Sequence, residues 1–287
     1  MKKIYEYDWW YDHLRYIVDA YIKGSFKTIR YEGLENVPEG GRVILAPNHC
    51  DALMDPLAVL AMNHDKKVFV ARADIFKNPV LRKILTFLKI MPINRERDGL
   101  RSVLAAEDTI KKSIEVLNNG VPFCILPEGR HRSMHSLLPM GKGIARIALG
   151  AARHGDEAAA DVYIVPVGCE YGDYYRYRQT LLVQVGKPVD INEFVAAHPE
   201  MNDQSLLRGI KGLAAQALER QIVFIPDDED YEATWELAKL SSGTVAERSL
   251  HGRFDANRKA VEKVQALRRN HPEAARKLFD KALAYRD

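Results

Sequence analysis

The chain has 287 residues, 47 % hydrophobic and 28 % charged, with a formal net charge of +3. This is the composition of an ordinary globular protein, long enough for one large core with a smaller appendage. A balance so near neutrality excludes a nucleic-acid partner recruited by a global field, and the absence of any run of about eighteen uncharged apolar residues excludes a membrane-spanning helix.

The opening Met1-Lys2-Lys3-Ile4-Tyr5-Glu6-Tyr7-Asp8 lacks the apolar centre of a signal peptide. Cys50, Cys124 and Cys169 lie far apart with no CxxC, as expected of a reducing compartment rather than a disulfide framework. The expectation is a cytoplasmic protein, peripheral on the inner face of the membrane. Residues 1–24 form the first unit. Trp9, Trp10, Leu14, Ile17, Val18, Tyr21 and Ile22 recur at helical spacing, bordered by Asp12, Arg15, Asp19 and Lys23. Such an aromatic-rich stripe either lies at the headgroup level of a lipid surface or packs on the protein's own core.

From residue 25 strands and helices alternate. Short apolar runs at Arg42–Ala46, Lys67–Ala71, Pro122–Leu126 and Val162–Val167 read as buried strands; helical patterns fall at about 55–63, 79–89, 100–118 and 141–153. The fold class is therefore α/β, a mixed and partly parallel sheet covered by helices, spanning residues 25–225. Another helix covers about 203–221. The acidic Pro226-Asp227-Asp228-Glu229-Asp230 then opens a helical extension over 226–287. Charge is uneven. Residues 75–112 hold nine Lys/Arg against four Asp/Glu, and residues 247–287 hold eleven against six. Clusters of this kind face phosphates or an anionic leaflet, or are solvated helix faces. Leu81, Ile84, Leu85, Phe87, Leu88 and Ile90, edged by Arg82, Lys83 and Lys89, either line a site for an acyl chain or form plain core.

The chemically loaded residues come directly after strands, where ligands of α/β sheets sit. The first strand runs into Pro47-Asn48-His49-Cys50-Asp51-Ala52-Leu53-Met54-Asp55-Pro56. A histidine there can pair with a carboxylate through one ring nitrogen and take a proton from a substrate hydroxyl with the other. Asp51 and Asp55 are both within reach in sequence. The third strand ends in Pro127-Glu128-Gly129-Arg130-His131-Arg132-Ser133, a charged crown in which arginines can grip a phosphate. Between them, Met91-Pro92-Ile93-Asn94-Arg95 leads into a basic loop with Arg97 and Arg101.

In this order the segments resemble the glycerolipid acyltransferase family, the lysophosphatidate and glycerol-3-phosphate (PlsC-like) acyltransferases. The resemblance rests on Asn48-His49 with Asp55-Pro56, Pro92-Ile93-Asn94-Arg95, Leu126-Pro127-Glu128-Gly129 and Val165-Pro166-Val167-Gly168, and covers roughly residues 25–190. Two departures stand out. Five residues rather than the commoner four separate His49 from Asp55, and Arg130-His131-Arg132-Ser133 replaces Thr-Arg-Ser. The resemblance implies an O-acyltransferase with no bound cofactor. Its donor is acyl-CoA or acyl-carrier protein, and its acceptor a glycerol-phosphate or lysophospholipid hydroxyl at a membrane surface. His49, oriented by Asp55, acts as general base, and Arg95, Glu128, Gly129 and Arg130 or Arg132 bind the substrate. Three other readings stand beside it: a thiol enzyme using Cys50, a metal site from His49, Asp51, Asp55 and Glu128, and a non-catalytic peripheral lipid binder on the same fold.

Overall fold

A computed structural model of the protein describes residues 3–93, 100–154, 160–242 and 249–286. At its centre lies β2 (Arg42–Pro47), buried at every position. It is flanked by β6 (Val162–Tyr171) and the short β5 (Phe123–Cys124), both parallel to it. Beyond β5 come β3 (Val68–Arg72) and β4 (Ile90–Ile93), again parallel. Alternate residues of β2 serve opposite faces, as the period of a strand requires. Ile44 and Ala46 join a core with α4 (Leu100–Asn118), α5 (Gly143–Arg153), α6 (Ile191–Ala196) and α7 (Asp203–Glu219). Val43 and Leu45 join a second core with α1 (Trp9–Ser25) and α2 (Met54–Leu60). The sheet is thus mixed and mostly parallel, with helices on both faces.

The other edge is antiparallel, which the apolar runs did not disclose. β7 (Thr180–Val185) turns back against β6, and β1 (Thr28–Glu32) lies parallel to β7. β8 (Val189–Asp190) pairs with the start of β6. Strand β6 runs four residues past its expected end because Gly168–Tyr171 pair with β7 after β2 has finished. Gly168 is glycine for lack of room: a Cβ there would stand 2.0 Å from the carbonyl oxygen of Gln221. The helical extension is present as α8 (Tyr231–Ser242), α9 (Leu250–Asn270) and α10 (Pro272–Arg286), which pack on one another and, through Phe254 and Val261, against Leu182 of β7.

The N-terminal stripe divides between its two possible uses. Asp8 caps α1 by accepting from the N–H groups of Trp10 and Tyr11. Tyr11 and Ile22 turn inward, while Trp9, Trp10 (71 % exposed), Tyr16, Ile17 (68 %) and Tyr21 (70 %) face out. Arg15, expected on the charged border, is buried instead. Its guanidinium donates to Asp19 and to the carbonyls of Leu60 and Asn63 at the end of α2. Helix α3 (Pro79–Phe87) has no buried residue, so the plain-core reading fails for Leu81, Ile84 and Phe87, all exposed. Among the described residues no helix is long and apolar enough to cross a membrane.

Candidate active site

Because β2, β5 and β6 are parallel, their carboxyl ends open on one edge of the sheet. The register pairs Leu45 with Cys124 and Pro47 with Val167. Residues just past these positions therefore meet: Asn48 and His49 after β2, Glu128 after β5, and Cys169 and Tyr171 at the end of β6. Asn48 prolongs the sheet with its side chain. Its amide accepts from the Cys169 N–H at 2.7 Å and donates to the Cys169 carbonyl at 3.1 Å. His49 is thereby launched from a fixed point.

The chain then turns through Ala52, which adopts a left-handed φ of 40°, and enters α2 with Asp55 in its first turn. That turn accommodates the five residues between His49 and Asp55. The His49 ring Nδ1 lies 2.9 Å from Oδ2 of Asp55. The carboxylate fixes the tautomer, with the proton on Nδ1, and Nε2 is left to face a substrate. Asp55 is fully buried. Its Oδ2 also accepts the backbone N–H of Asp51 at 2.9 Å, and Oδ1 accepts the hydroxyl of Tyr171 at 2.9 Å and, more weakly, the Cys50 thiol at 3.6 Å. Asp51 thus supplies a backbone donor to the pair, and the carboxylate at hydrogen-bond distance from His49 is that of Asp55. Burial and the nearby Asp55 charge push the Asp51 carboxyl upward.

Glu128 clamps two loops together. Oε1 accepts the N–H of His49 and Oε2 the N–H of Leu138, each at 2.7 Å. Burial raises its carboxyl above the ordinary range, against the lowering effect of those two donors. Gly129 takes the left-handed turn that follows, φ 67°, at no steric cost. The loop then folds back on the first one. The Arg132 N–H donates to the His49 carbonyl at 3.0 Å, and the Ser133 hydroxyl to the Cys50 carbonyl at 3.1 Å. The Arg132 guanidinium pairs with Asp227 and donates to the Ser136 hydroxyl. Arg130 is exposed and has no ion-pair partner among the described residues. Arg95 falls at 94–99, outside the described residues, as does Arg97, and the side chain of Arg101 is likewise undescribed.

Of the sequence candidates the structure therefore joins His49, Asp55, Glu128, Gly129 and the Arg132 backbone. Tyr171, His131, whose ring centroid is 5.5 Å from that of His49, and Asp227 were not singled out. Tyr171 lies far along the chain, and only the β2–β6 register reveals its place. The thiol reading meets a physical obstacle. Cys50 is buried, and burial together with the Asp55 charge pushes its thiol well above the ordinary value, opposite to an activated nucleophile. Among the described residues no group of three His, Cys, Asp or Glu side chains is arranged as metal ligands would be.

Residues 28–170 match the family model described as Acyltransferase. Over 82 residues the chain is 38 % identical to glycerol-3-phosphate O-acyltransferase 1 of Saccharomyces cerevisiae, a stretch covering 27 % of this chain and 10 % of the yeast protein's length. The crystal structure of the 1-acyl-sn-glycerophosphate (LPA) acyltransferase PlsC from Thermotoga maritima shares the fold, with a TM-score of 0.50 at 21 % identity over 73 % of this chain and 80 % of that one.

The Glu128 clamp makes a prediction. In Glu128→Gln one of the two N–H groups faces an amide NH2 instead of an oxygen, and an orphaned buried donor costs about 1–3 kcal/mol. Chemical denaturation is expected to show that loss. Hydrogen exchange at the His49 and Leu138 amides is expected to quicken; wild-type protection at both would refute the clamp.

Proposed function

We propose, from the premise that this chain belongs to the Acyltransferase family through residues 28–170, that it transfers a fatty acyl group from a thioester to a hydroxyl of a glycerol-phosphate-type acceptor. The observation that carries the reading is the His49 Nδ1–Asp55 Oδ2 hydrogen bond of 2.9 Å in a half-open site, which leaves Nε2 without a partner among the described residues. As the acceptor oxygen attacks the thioester carbonyl, Nε2 takes its proton. The C–O bond forms, the C–S bond breaks, and the imidazolium returns the proton to the departing thiolate. A thioester is already activated, so the step needs neither an acyl-enzyme nor a cofactor. Acyl-CoA and acyl-carrier protein both present the same reacting group.

Exposed Arg130, and Arg95 by the sequence motif that it closes, are assigned to the acceptor phosphate, where a forked guanidinium would place the hydroxyl at His49. Glu128 and Arg132 shape that site through the contacts already described. In this reading residues 25–225 carry the reaction, and residues 226–287 brace the loop through Asp227 and through the Tyr231 hydroxyl, which accepts the His135 N–H. Residues 1–24 supply a lipid contact. The outward row of α1 and the unburied α3, flanked by Lys77, Arg82 and Lys83, suit an interfacial surface of apolar rings rimmed by cations. Three free, buried cysteines fit a reducing compartment, and so the inner face of the membrane.

Two measurements test this. Thiol release from acyl-CoA and acyl-carrier-protein donors, offered with glycerol-phosphate and lysophospholipid acceptors, is expected to depend on acceptor and to fall by about 10²–10⁴-fold in His49→Ala. Release that persists in His49→Ala would count against His49 as the base, and no release with any pair from folded protein would count against the enzyme reading and favour a lipid binder. Flotation with vesicles of mixed zwitterionic and anionic phospholipid is expected to lose about tenfold in partition for a Trp10→Ala/Ile17→Ala/Tyr21→Ala variant. Unchanged partition would remove α1 from the lipid contact.

A further inference from the structure

We propose that Tyr171 is a positioning residue for the acyl transfer, its phenol holding the Asp55 carboxylate aimed at His49. The inference rests on the functional reading above and goes one step further, to what keeps the pair working. Asp55 has no surface open to water, so the orientation and charge of its carboxylate depend wholly on donors from the protein. Oδ2 has two, His49 and the Asp51 N–H. Among the described residues Oδ1 has the Tyr171 hydroxyl at 2.9 Å and otherwise only the Cys50 thiol at 3.6 Å, a weak donor. Tyr171 is the last residue of β6, and its ring is held between Phe26 and Tyr174, with centroids at 6.2 and 6.0 Å. The phenol is therefore delivered by the sheet from a ring buried in the core beneath the site.

Its chemistry suits one task. Burial, with the Asp55 charge, pushes the Tyr171 hydroxyl well above its ordinary value, so it stays protonated and acts as a donor. During acyl transfer a proton arrives on His49 and must stay there until the thiolate leaves. A dry carboxylate with one bare oxygen would compete for that proton; a carboxylate with both oxygens saturated leaves it on the imidazole. Other titratable groups surround the pair without reaching Oδ1. Asp51 neighbours Asp55 and His131, the His131 ring stands 5.5 Å from that of His49, and Glu128 is at the His49 backbone. Cys169, Glu170 and Tyr174 lie around Asp55 and Cys50.

The test is Tyr171→Phe, which removes one oxygen and keeps the ring. We expect kcat to fall by about 10–100-fold, as for other partners that orient a reacting group, with KM for both substrates within about twofold. The carboxylate loses a donor that favours its anionic form, so the His49–Asp55 pair binds its proton more tightly. The acid limb of kcat/KM therefore moves to higher pH. In an Asp55→Asn background the same change is expected to cost little more, because the two act through one interaction. A kcat within about twofold and an unmoved limb, or full multiplication of the two losses, would overturn the proposal. If Asp55→Asn keeps wild-type activity, the functional reading falls instead. NMR titration of the His49 ring in Tyr171→Phe then still decides the role of Tyr171, an upward move supporting it and an unmoved titration refuting it. Should Tyr171→Phe not fold, 3-fluorotyrosine at position 171 makes a stronger donor of nearly the same size. The acid limb then moves to lower pH, and no movement overturns the proposal.

Discussion

A carboxylate that water cannot reach must find all its donors in the protein, and Asp55 is such a group. Its four donors come from three places: the turn after β2, the first residues approaching α2, and the far end of β6. They converge only if β2 and β6 are parallel and in the observed register, Pro47 against Val167. The Asn48 amide locks that register one step beyond the last pairing of β2 with β6, by bonding both backbone groups of Cys169. A buried charge of this kind adds little net stability by itself, but breaking one of its contacts is costly. Satisfying this one anion requires the observed register of β2 and β6, the tight turn at Ala52 and the placing of α2. Glu128 repeats the device on the next strand, spending both its oxygens on backbone donors so that the two loops move as one.

The same helix that carries Asp55 also receives the N-terminal helix. Arg15 of α1 buries its guanidinium against the carbonyls of Leu60 and Asn63, at the end of α2 left without internal partners. Lys67 adds an ammonium to the same carbonyls. One face of α1 is thus tied to the reactive half of the molecule while Trp10, Ile17 and Tyr21 stay outside. In the functional reading, this puts a lipid-facing helix within one helix length of the reacting histidine, and a substrate that lives in a bilayer would have a short path to it.

How much of this the sequence displays depends on the range of the interaction. Buried parallel strands announce themselves as apolar runs, so β2, β3 and the first part of β6 are visible at Arg42–Ala46, Lys67–Ala71 and Val162–Val167. Helix α4 shows its full length through its period, Leu100–Asn118. By contrast β1 is a polar-looking Thr-Ile-Arg-Tyr-Glu, and β7 earns its place only by pairing with β6. The local half of the site, His49 with a downstream carboxylate, is legible. The choice of Asp55 over Asp51 comes from the family resemblance alone, because in the residues themselves it depends on Ala52 taking a left-handed turn that a non-glycine residue gives no reason to expect. Arg15 misleads because arginine in an amphipathic helix suggests a surface, and here its guanidinium is committed to Asp19 and to carbonyls at the end of α2. Tyr171 has no local signature, since its function is conferred by a register set across more than a hundred residues.

We propose that Asp55, and not Asp51, orients the base. The most direct measurement is acceptor-dependent thiol release by Asp55→Asn and Asp51→Asn, run side by side on protein of matched thermal stability. The expected result is a loss of about 10²-fold or more for Asp55→Asn and a change within about threefold for Asp51→Asn. The reverse ranking, or full activity in Asp55→Asn, would contradict it.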